Sequence, residues 1–153
     1  MSDLLQKLSQ MEENDLGNAS RLFERYEHRI LYVDQLGWFV WDGTRWKADP
    51  SEKDIRKLAH KTAKAIFDES KYAEEPIKRT RFAVQSGQSP RITAMIREFR
   101  GYVERSVGEL DQDPWLMNVE NGTLNLKTGK IAKHDPDDLI TKLAPVKFDG
   151  DAK

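Results

Sequence analysis

The sequence predicts an α+β domain, and three features favour this fold class. The 153 residues include several stretches in which apolar residues recur at helical spacing. Short runs of alternating apolar and polar residues, which are typical of strands, flank these stretches. Turn dipeptides such as Asp42-Gly43 and Asn121-Gly122 separate the alternating runs. We expect about four helices, an N-terminal aromatic β-hairpin and a C-terminal three-stranded β-meander.

The first predicted helix covers residues 15–28. Its apolar residues recur at helical spacing from Leu16 to Tyr26, and Asp15 stands where an N-cap residue is preferred. Residues 1–14 are polar and show no sustained periodicity. We therefore expect a flexible N-terminus there, frayed or forming a short helix, with the folded domain beginning at residue 15.

An aromatic hairpin is predicted next. Residues 30–33 are typical of a strand, and residues 38–41 and 45–47 are expected to pair across the Asp42-Gly43 turn. Alternation puts Trp38 and Trp41 on opposite faces, so one aromatic pair is expected to be exposed. Aromatic residues at a hairpin can stack on unpaired bases. Core packing or protein contact accounts better for the three tryptophans of this segment.

Three further helices are predicted between residues 51 and 103. Ser51 and Asp54 approximate a capping box for the first, whose apolar stripe lies opposite a stripe of lysines. Those lysines are Lys53, Lys57, Lys61 and Lys64. The second helix covers 77–85. The third follows a loop, with Ser89 as N-cap and Pro90 at the first helical position, and runs to Val103.

The β-meander is predicted within residues 110–141. Strands at 115–119, 123–126 and 130–133 alternate apolar and polar residues, and tight turns separate them. The turn residues are Asn121, Gly122 and Gly129. We expect both glycines to adopt positive φ, because strands this close leave room only for tight turns.

The same segment carries a family resemblance. The run from Asp111 to Lys142 reads D-x-D-P-W-L-x-N-V-x-N-G-T-L-x-L-x-T-G-x-I-x-x-H-D-P-x-D-L-I-T-K. It resembles the domain in front of the helicase motor in phage- and plasmid-type primase-helicases, which include relatives of the poxvirus primase-helicase. The motor there is a superfamily-three AAA+ ATPase. Residues 15–19 and the aromatic hairpin also fit, so the resemblance covers about 15–148.

The resemblance implies an accessory domain of a replicative primase-helicase from a phage or mobile element. It would support ring assembly and DNA engagement in DNA replication, and residues 149–153 would begin a linker to a missing motor. The implied partners are the motor of the same protein, single-stranded or forked DNA, and a primase, with a ring oligomer only in the full-length protein. The alternative is a protein-interaction module, for a collar or for primase docking, without direct DNA binding.

The chain itself is not expected to be an enzyme. It lacks the P-loop pattern G-x-x-x-x-G-K-[ST], so ATP and Mg²⁺ are expected only for the motor. The absence of cysteine excludes disulfides, cysteine-ligated zinc and thiol catalysis. Turn and cap chemistry accounts for the aspartates near His134 better than a metal site. No signal peptide or membrane span is predicted, and we expect a cytoplasmic location in a bacterium or phage-infected host.

The distribution of charge suggests where DNA would bind. The net charge is −1, but residues 77–108 hold seven Lys and Arg against two Asp and Glu. The candidate nucleic-acid-binding residues are Lys78, Arg79, Arg81, Arg91, Arg97, Arg100 and Arg105. Phosphate neutralisation needs such clustering. A solvated helix face would look the same, so both interpretations stay open.

Overall fold

The computed structural model describes residues 2–150, and within them the chain forms five α-helices and seven β-strands. The helices are α1 (Ser2–Ser9), α2 (Asp15–Tyr26), α3 (Lys53–Ala65), α4 (Pro76–Ser86) and α5 (Ser89–Phe99). The strands are β1 (Ile30–Val33), β2 (Gly37–Trp41), β3 (Trp46–Ala48), β4 (Glu104–Arg105), β5 (Leu116–Val119), β6 (Gly122–Asn125) and β7 (Lys130–Ala132). The α+β class is confirmed.

The chain divides into two compact units. The first, here called the helical unit, combines the chain up to Glu27 with Ser51–Val103 and contains all five helices. The second, the sheet unit, combines His28–Pro50 with the chain from Glu104 onward and contains the strands. Of the linker expected at 149–153, residues 151–153 lie outside the described range.

The helical unit begins earlier than the sequence predicts. The segment before residue 15 forms the short helix α1, and the side chain of Leu8 is fully buried. The cap of α2 is Asn14 rather than Asp15, because the Asn14 side-chain oxygen accepts a hydrogen bond from the backbone N of Gly17 at 2.7 Å. Because Leu8 is buried, the N-terminal segment is part of the folded helical unit.

Two predicted helix ends differ in the structure. The capping box at α3 is wrong: Glu52 precedes the helix with a left-handed φ of 59° and makes no side-chain cap hydrogen bond. Helix α5 ends at Phe99 instead of Val103, and a 3-10 turn at Arg100–Tyr102 leads into β4. Periodicity cannot detect this end, because Val103 is buried whether or not the helix continues.

The first sheet of the sheet unit has the strand order β3-β2-β1-β4. The predicted aromatic hairpin is present, with β1, β2 and β3 pairing antiparallel and Trp41 opposite Trp46. Strand β4 adds a short parallel pairing to β1, which the sequence did not predict. The core of this unit gathers Leu31, Val33, Phe39, Trp46 and Leu110.

The second sheet is the predicted meander, with the order β5-β6-β7. Its first turn lies one residue earlier than expected, since Val119 pairs with Gly122 and the loop is residues 120–121. The Asn121 side chain exchanges two hydrogen bonds with the backbone of Phe148, at 2.8 and 3.0 Å. Positive φ is confirmed at Gly122 (154°) and at Gly129 (71°).

We predict that Gly122→Ala lowers the free energy of unfolding by about 1–3 kcal/mol. A Cβ at residue 122 would overlap the carbonyl oxygen of Ala132 and lie 2.8 Å from Ile131 Cγ1, in a backbone conformation that alanine rarely adopts. The matched control is Gly108→Ala, where the added Cβ meets no atom within 4 Å and φ is not positive. Urea unfolding measures both, and equal stabilities would contradict the close packing of β7 on Gly122.

Candidate functional site

A buried cluster of charges holds the helical unit together. Glu69 lies in the 3-10 turn Ile66–Lys71 after α3 and accepts hydrogen bonds from Arg21 of α2 and Arg79 of α4. Arg21 Nε lies 2.9 Å from Glu69 Oε2, and Arg79 Nη1 lies 2.7 Å from Glu69 Oε1. Arg21 is 0% exposed and Glu69 is 1% exposed. We call these three residues the buried arginine cluster.

The guanidinium of Arg21 has an acceptor for every N–H. Besides its two contacts with Glu69, Nη1 donates to the carbonyl of Glu12 at 2.7 Å and to Asn18 Oδ1 at 3.3 Å. Nη2 also donates to the carbonyl of Met11 at 3.1 Å. Burial lowers the pKa of Arg21, and the hydrogen bond and charge of Glu69 oppose that shift. Arginine remains charged in such a site, so its full pairing is what makes the burial tolerable.

Gly17 permits this arrangement. A Cβ at residue 17 would overlap the carbonyl oxygen of Glu12 and lie 2.8 Å from its carbonyl carbon. That carbonyl is also an acceptor for Arg21. A glycine inside a helix costs about 1 kcal/mol relative to alanine. We infer that Gly17 stands in α2 because the Glu12 backbone approaches the helix there.

Arg79 was predicted to bind nucleic acid, and the structure gives it a different role. It is 7% exposed, and its Nε lies 2.8 Å from Glu13 Oε2 while its Nη2 donates to the carbonyl of Ser9 at 3.0 Å. With Glu69 as a third acceptor, its guanidinium is committed to internal contacts. We therefore leave Arg79 out of the candidate interface.

Glu13 joins the edge of the cluster to the surface. Burial raises the pKa of its carboxyl, but the hydrogen bond and charge of Arg79, with those of Lys78, outweigh burial and lower it overall. A carboxyl with a lowered pKa adds stability above its unfolded pKa, and this stability is lost as the pH falls through the lowered value. The contribution of Glu13 is therefore present at neutral pH.

Three more of the predicted nucleic-acid-binding residues are exposed, but each has a carboxylate oxygen within 4 Å of its side-chain nitrogen. They are Lys78 with Glu13 at 3.6 Å, Arg91 with Asp15 at 3.4 Å, and Arg105 with Glu109 at 3.3 Å. Arg105 belongs to β4 of the sheet unit, whereas the other predicted residues belong to the helical unit. The seven candidates are therefore divided between the two units.

Arg81, Arg97 and Arg100 are exposed on the helical unit. Within residues 2–150, Arg81 and Arg97 make no ion pair. Arg97 lies on α5 four residues after Thr93, so these two share one side of the helix, whereas Arg100 follows the helix in the 3-10 turn. Thr93 Oγ1 accepts a hydrogen bond from Arg56 Nη1 of α3 at 3.0 Å. Arg97 thus lies one turn from a direct contact with α3.

Helix α3 carries a group of lysines that form no ion pair with any described residue. All four predicted lysines of its polar stripe belong to this group, and all are exposed. We define the α3–α5 cationic surface as Lys53, Lys57, Lys61 and Lys64 of α3 with Arg97 of α5. This lysine stripe was recognisable as basic from the sequence, but the candidate nucleic-acid-binding residues did not include it.

The hairpin tryptophans have packing roles. Trp46 is 2% exposed and its Nε1 donates to the carbonyl of Pro136 at 2.8 Å. Trp38 is also buried, and Trp41 packs against Trp46 with a ring separation of 5.6 Å. The expectation of an exposed aromatic pair is therefore wrong for β2. The exposed tryptophan is Trp115, just before β5.

The aspartates near His134 form a turn. Asp135 caps the 3-10 turn Pro136–Asp138, and its Oδ1 accepts from the backbone N of Asp137 at 2.9 Å. Burial raises the pKa of Asp138, and the charges of nearby aspartates add to the shift. Among residues 2–150, no three acidic, histidine or cysteine side chains are placed to hold a metal ion.

A polar pocket of about 610 Å³ opens in the helical unit beside the buried arginine cluster. Four glutamates line it: Glu12, Glu13, Glu74 and Glu75. Lys78 and Arg79 also line it, and both are paired with Glu13. An acidic lining of this kind is unsuited to a phosphate, so the pocket is not a candidate for the nucleic-acid site.

Comparison with protein families identifies the domain. Residues 19–153 match the family described as D5 N terminal like. The chain belongs to this family. Members of the D5 N-terminal-like family are found in phage- and poxvirus-type primase-helicases, before the helicase motor. A search of curated proteins gave no match. Within residues 2–150, every helix is too short or too polar to cross a membrane.

The match confirms the family that the Asp111–Lys142 segment indicated. It includes both sheets and the helices α3, α4 and α5, and it begins inside α2. Glu69 and Arg79 of the buried arginine cluster therefore lie within the matched residues, as does Arg21. Sequence reasoning missed Glu69, although Gly17 within a helix and Arg21 beside an apolar stripe were available signals of a close internal contact.

We predict that Glu69→Gln lowers the free energy of unfolding by about 3–5 kcal/mol, since two arginines would lose their shared counter-charge. The matched control is Glu109→Gln, whose carboxylate pairs with Arg105 at an exposed site, so its loss should change stability far less. Chemical unfolding at neutral pH measures both. Similar losses in the two variants would contradict the central role of the cluster.

Proposed function

We propose that this D5 N-terminal-like domain is an accessory domain of a phage or mobile-element replicative primase-helicase, and that it contacts single-stranded or forked DNA. The family places such domains before the helicase motor, which supports a role close to the DNA that the motor would move. On this proposal the domain also supports assembly of the motor into a ring. A primase would be a further partner in the same replication complex.

One observation carries the DNA-binding part of the proposal: the α3–α5 cationic surface. Its four lysines recur at intervals of four and three residues, so they form one stripe along about three turns of α3. They are exposed and make no salt bridge with a described residue. Phosphates compete poorly for cations that carboxylates already neutralise, and these lysines have no such competitor.

The electrostatics favour weak, salt-sensitive binding. The net charge of −1 provides no general attraction to DNA, so affinity would come from a local group of unpaired cations such as this surface. No aromatic side chain is part of it, and base stacking is therefore not expected to contribute. Lysine contacts to phosphate carry no sequence information. The proposed binding is accordingly independent of sequence and directed to the backbone.

We predict that the triple variant Lys57→Gln, Lys61→Gln and Arg97→Gln weakens binding to a fluorescent oligo(dT) strand at low salt. Each lost phosphate contact should flatten the slope of log affinity against log salt by about 0.7, or about two for three contacts. The wild-type affinity should be micromolar or weaker, on the order of non-specific binding. Fluorescence anisotropy across a salt series measures both quantities.

The matched control neutralises three ion-paired cations: Lys78→Gln, Arg91→Gln and Arg105→Gln. The net charge changes equally in the two triple variants, so only position distinguishes them. The proposal expects the control to bind more tightly than the α3–α5 variant and to keep a steeper salt slope. Equal effects in both variants would mean that net charge alone governs binding, and no effect in either would make the surface a solvated helix face.

A further inference from the structure

The three-stranded sheet of the sheet unit has an apolar face formed by all three strands. Register places Met117, Leu124 and Ile131 directly opposite one another in one row. Leu126 N donates to the carbonyl of Trp115 at 2.7 Å, which puts these two residues opposite each other in the next row. Because side chains alternate between faces along a strand, both rows lie on the same side of the sheet. We call these five residues the apolar sheet face.

This face is exposed. Trp115 is 47% exposed, Met117 41%, Leu126 50% and Ile131 36%. Single exposed apolar side chains are ordinary in folded proteins. Here the register makes them neighbours, and a contiguous exposed apolar surface marks an interaction site far more often than isolated residues do.

The opposite face of the same sheet carries two buried polar residues. Asn118 and Thr123 are opposite each other in the ladder, and Thr123 Oγ1 donates to Asn118 Oδ1 at 2.9 Å. The Asn118 amide nitrogen also donates to the carbonyls of Thr44 and Lys142, at 2.7 and 3.0 Å. An antiparallel sheet with one solvated face normally turns its apolar side inward. Here two buried residues are polar while four of the five residues of the apolar sheet face are exposed, which indicates that a partner covers that face.

The charges around the face decide between possible occupants. Lys127 Nζ lies 5.0 Å from the centre of the Trp115 ring, and the exposed Lys133 directly follows β7. The carboxylate of Asp113 accepts a hydrogen bond from the Trp115 backbone N and is an acidic group at this end of the row. Cations thus border the apolar surface.

A second copy of the chain fits this surface poorly, because symmetric pairing of two such faces would bring their lysines together. A nucleic acid also fits poorly, since four of the five residues are aliphatic or Met and offer no ring for bases to stack on. An amphipathic segment with an apolar stripe and acidic flanks satisfies both features. We propose that the apolar sheet face binds an acidic amphipathic segment of a partner protein.

This proposal concerns the sheet unit and does not depend on DNA binding by the α3–α5 cationic surface. The probe is a fluorescent peptide of about five helical turns with leucines on one face and glutamates on the other. A second peptide carries lysines in place of the glutamates. We expect the glutamate peptide to bind at least about tenfold more tightly than the lysine peptide in a fluorescence anisotropy titration.

Two variants locate the binding. Leu126→Asp should weaken binding of the glutamate peptide about tenfold or more, whereas Ile77→Asp, at a 72% exposed residue of α4, should leave it unchanged. The double variant Lys127→Glu and Lys133→Glu should reverse the preference in favour of the lysine peptide, a result that a folding defect would not produce. Melting temperatures of the variants check that each one is folded.

Four results would overturn the proposal. The first is equal binding of the two peptides, and the second is unchanged binding to the Leu126→Asp variant. The third is concentration-dependent dimerisation of the wild-type chain that Leu126→Asp abolishes, which would make a second copy the occupant. The fourth is oligo(dT) binding that Leu126→Asp abolishes while the α3–α5 triple variant retains it, which would make the occupant a nucleic acid.

Discussion

The shared contact of Arg21 and Arg79 with Glu69 is the interaction on which the helical unit depends. A buried arginine is tolerable only when its charge is neutralised and its donors are all satisfied. Glu69 neutralises it, and the carbonyls of Glu12 and Met11 satisfy donors that Glu69 does not reach. The chain before α2 must therefore fold back onto that helix. Gly17 makes room for the approach.

This buried pairing also decides which cations of the helical unit remain unpaired. The side chain of Arg79 is paired within the buried arginine cluster, and Lys78 forms an ion pair with Glu13 at the edge of the cluster. The lysines of α3, which have no part in the cluster, remain exposed. A local excess of positive charge in the sequence therefore does not predict where the surface is positive. Carboxylates distant in the sequence neutralise some of the cations by ion pairing, and the other cations stay unpaired.

Much of the fold could be predicted because local patterns determine it. Helical periodicity found α2 to α5, and alternation with turn dipeptides found the aromatic hairpin and the meander. Contacts between distant residues could not be predicted in this way. The pairing of β4 with β1 joins residues about 70 positions apart, and Glu69 bridges helices from two segments of the chain. The exposure of the apolar sheet face could not be predicted either, since alternation shows that two faces differ but not which one is buried.

The central claim is that the fold, rather than the density of charge along the sequence, decides which cations can contact DNA. Mapping backbone amide shifts by NMR during titration with oligo(dT) tests this claim most directly, because it reports every segment at once. The account predicts shifts that concentrate on the exposed turns of α3 and on α5 around Arg97, with little change at Lys78 and Arg79. Shifts centred on the first turn of α4, or on the β5–β7 sheet, would contradict it.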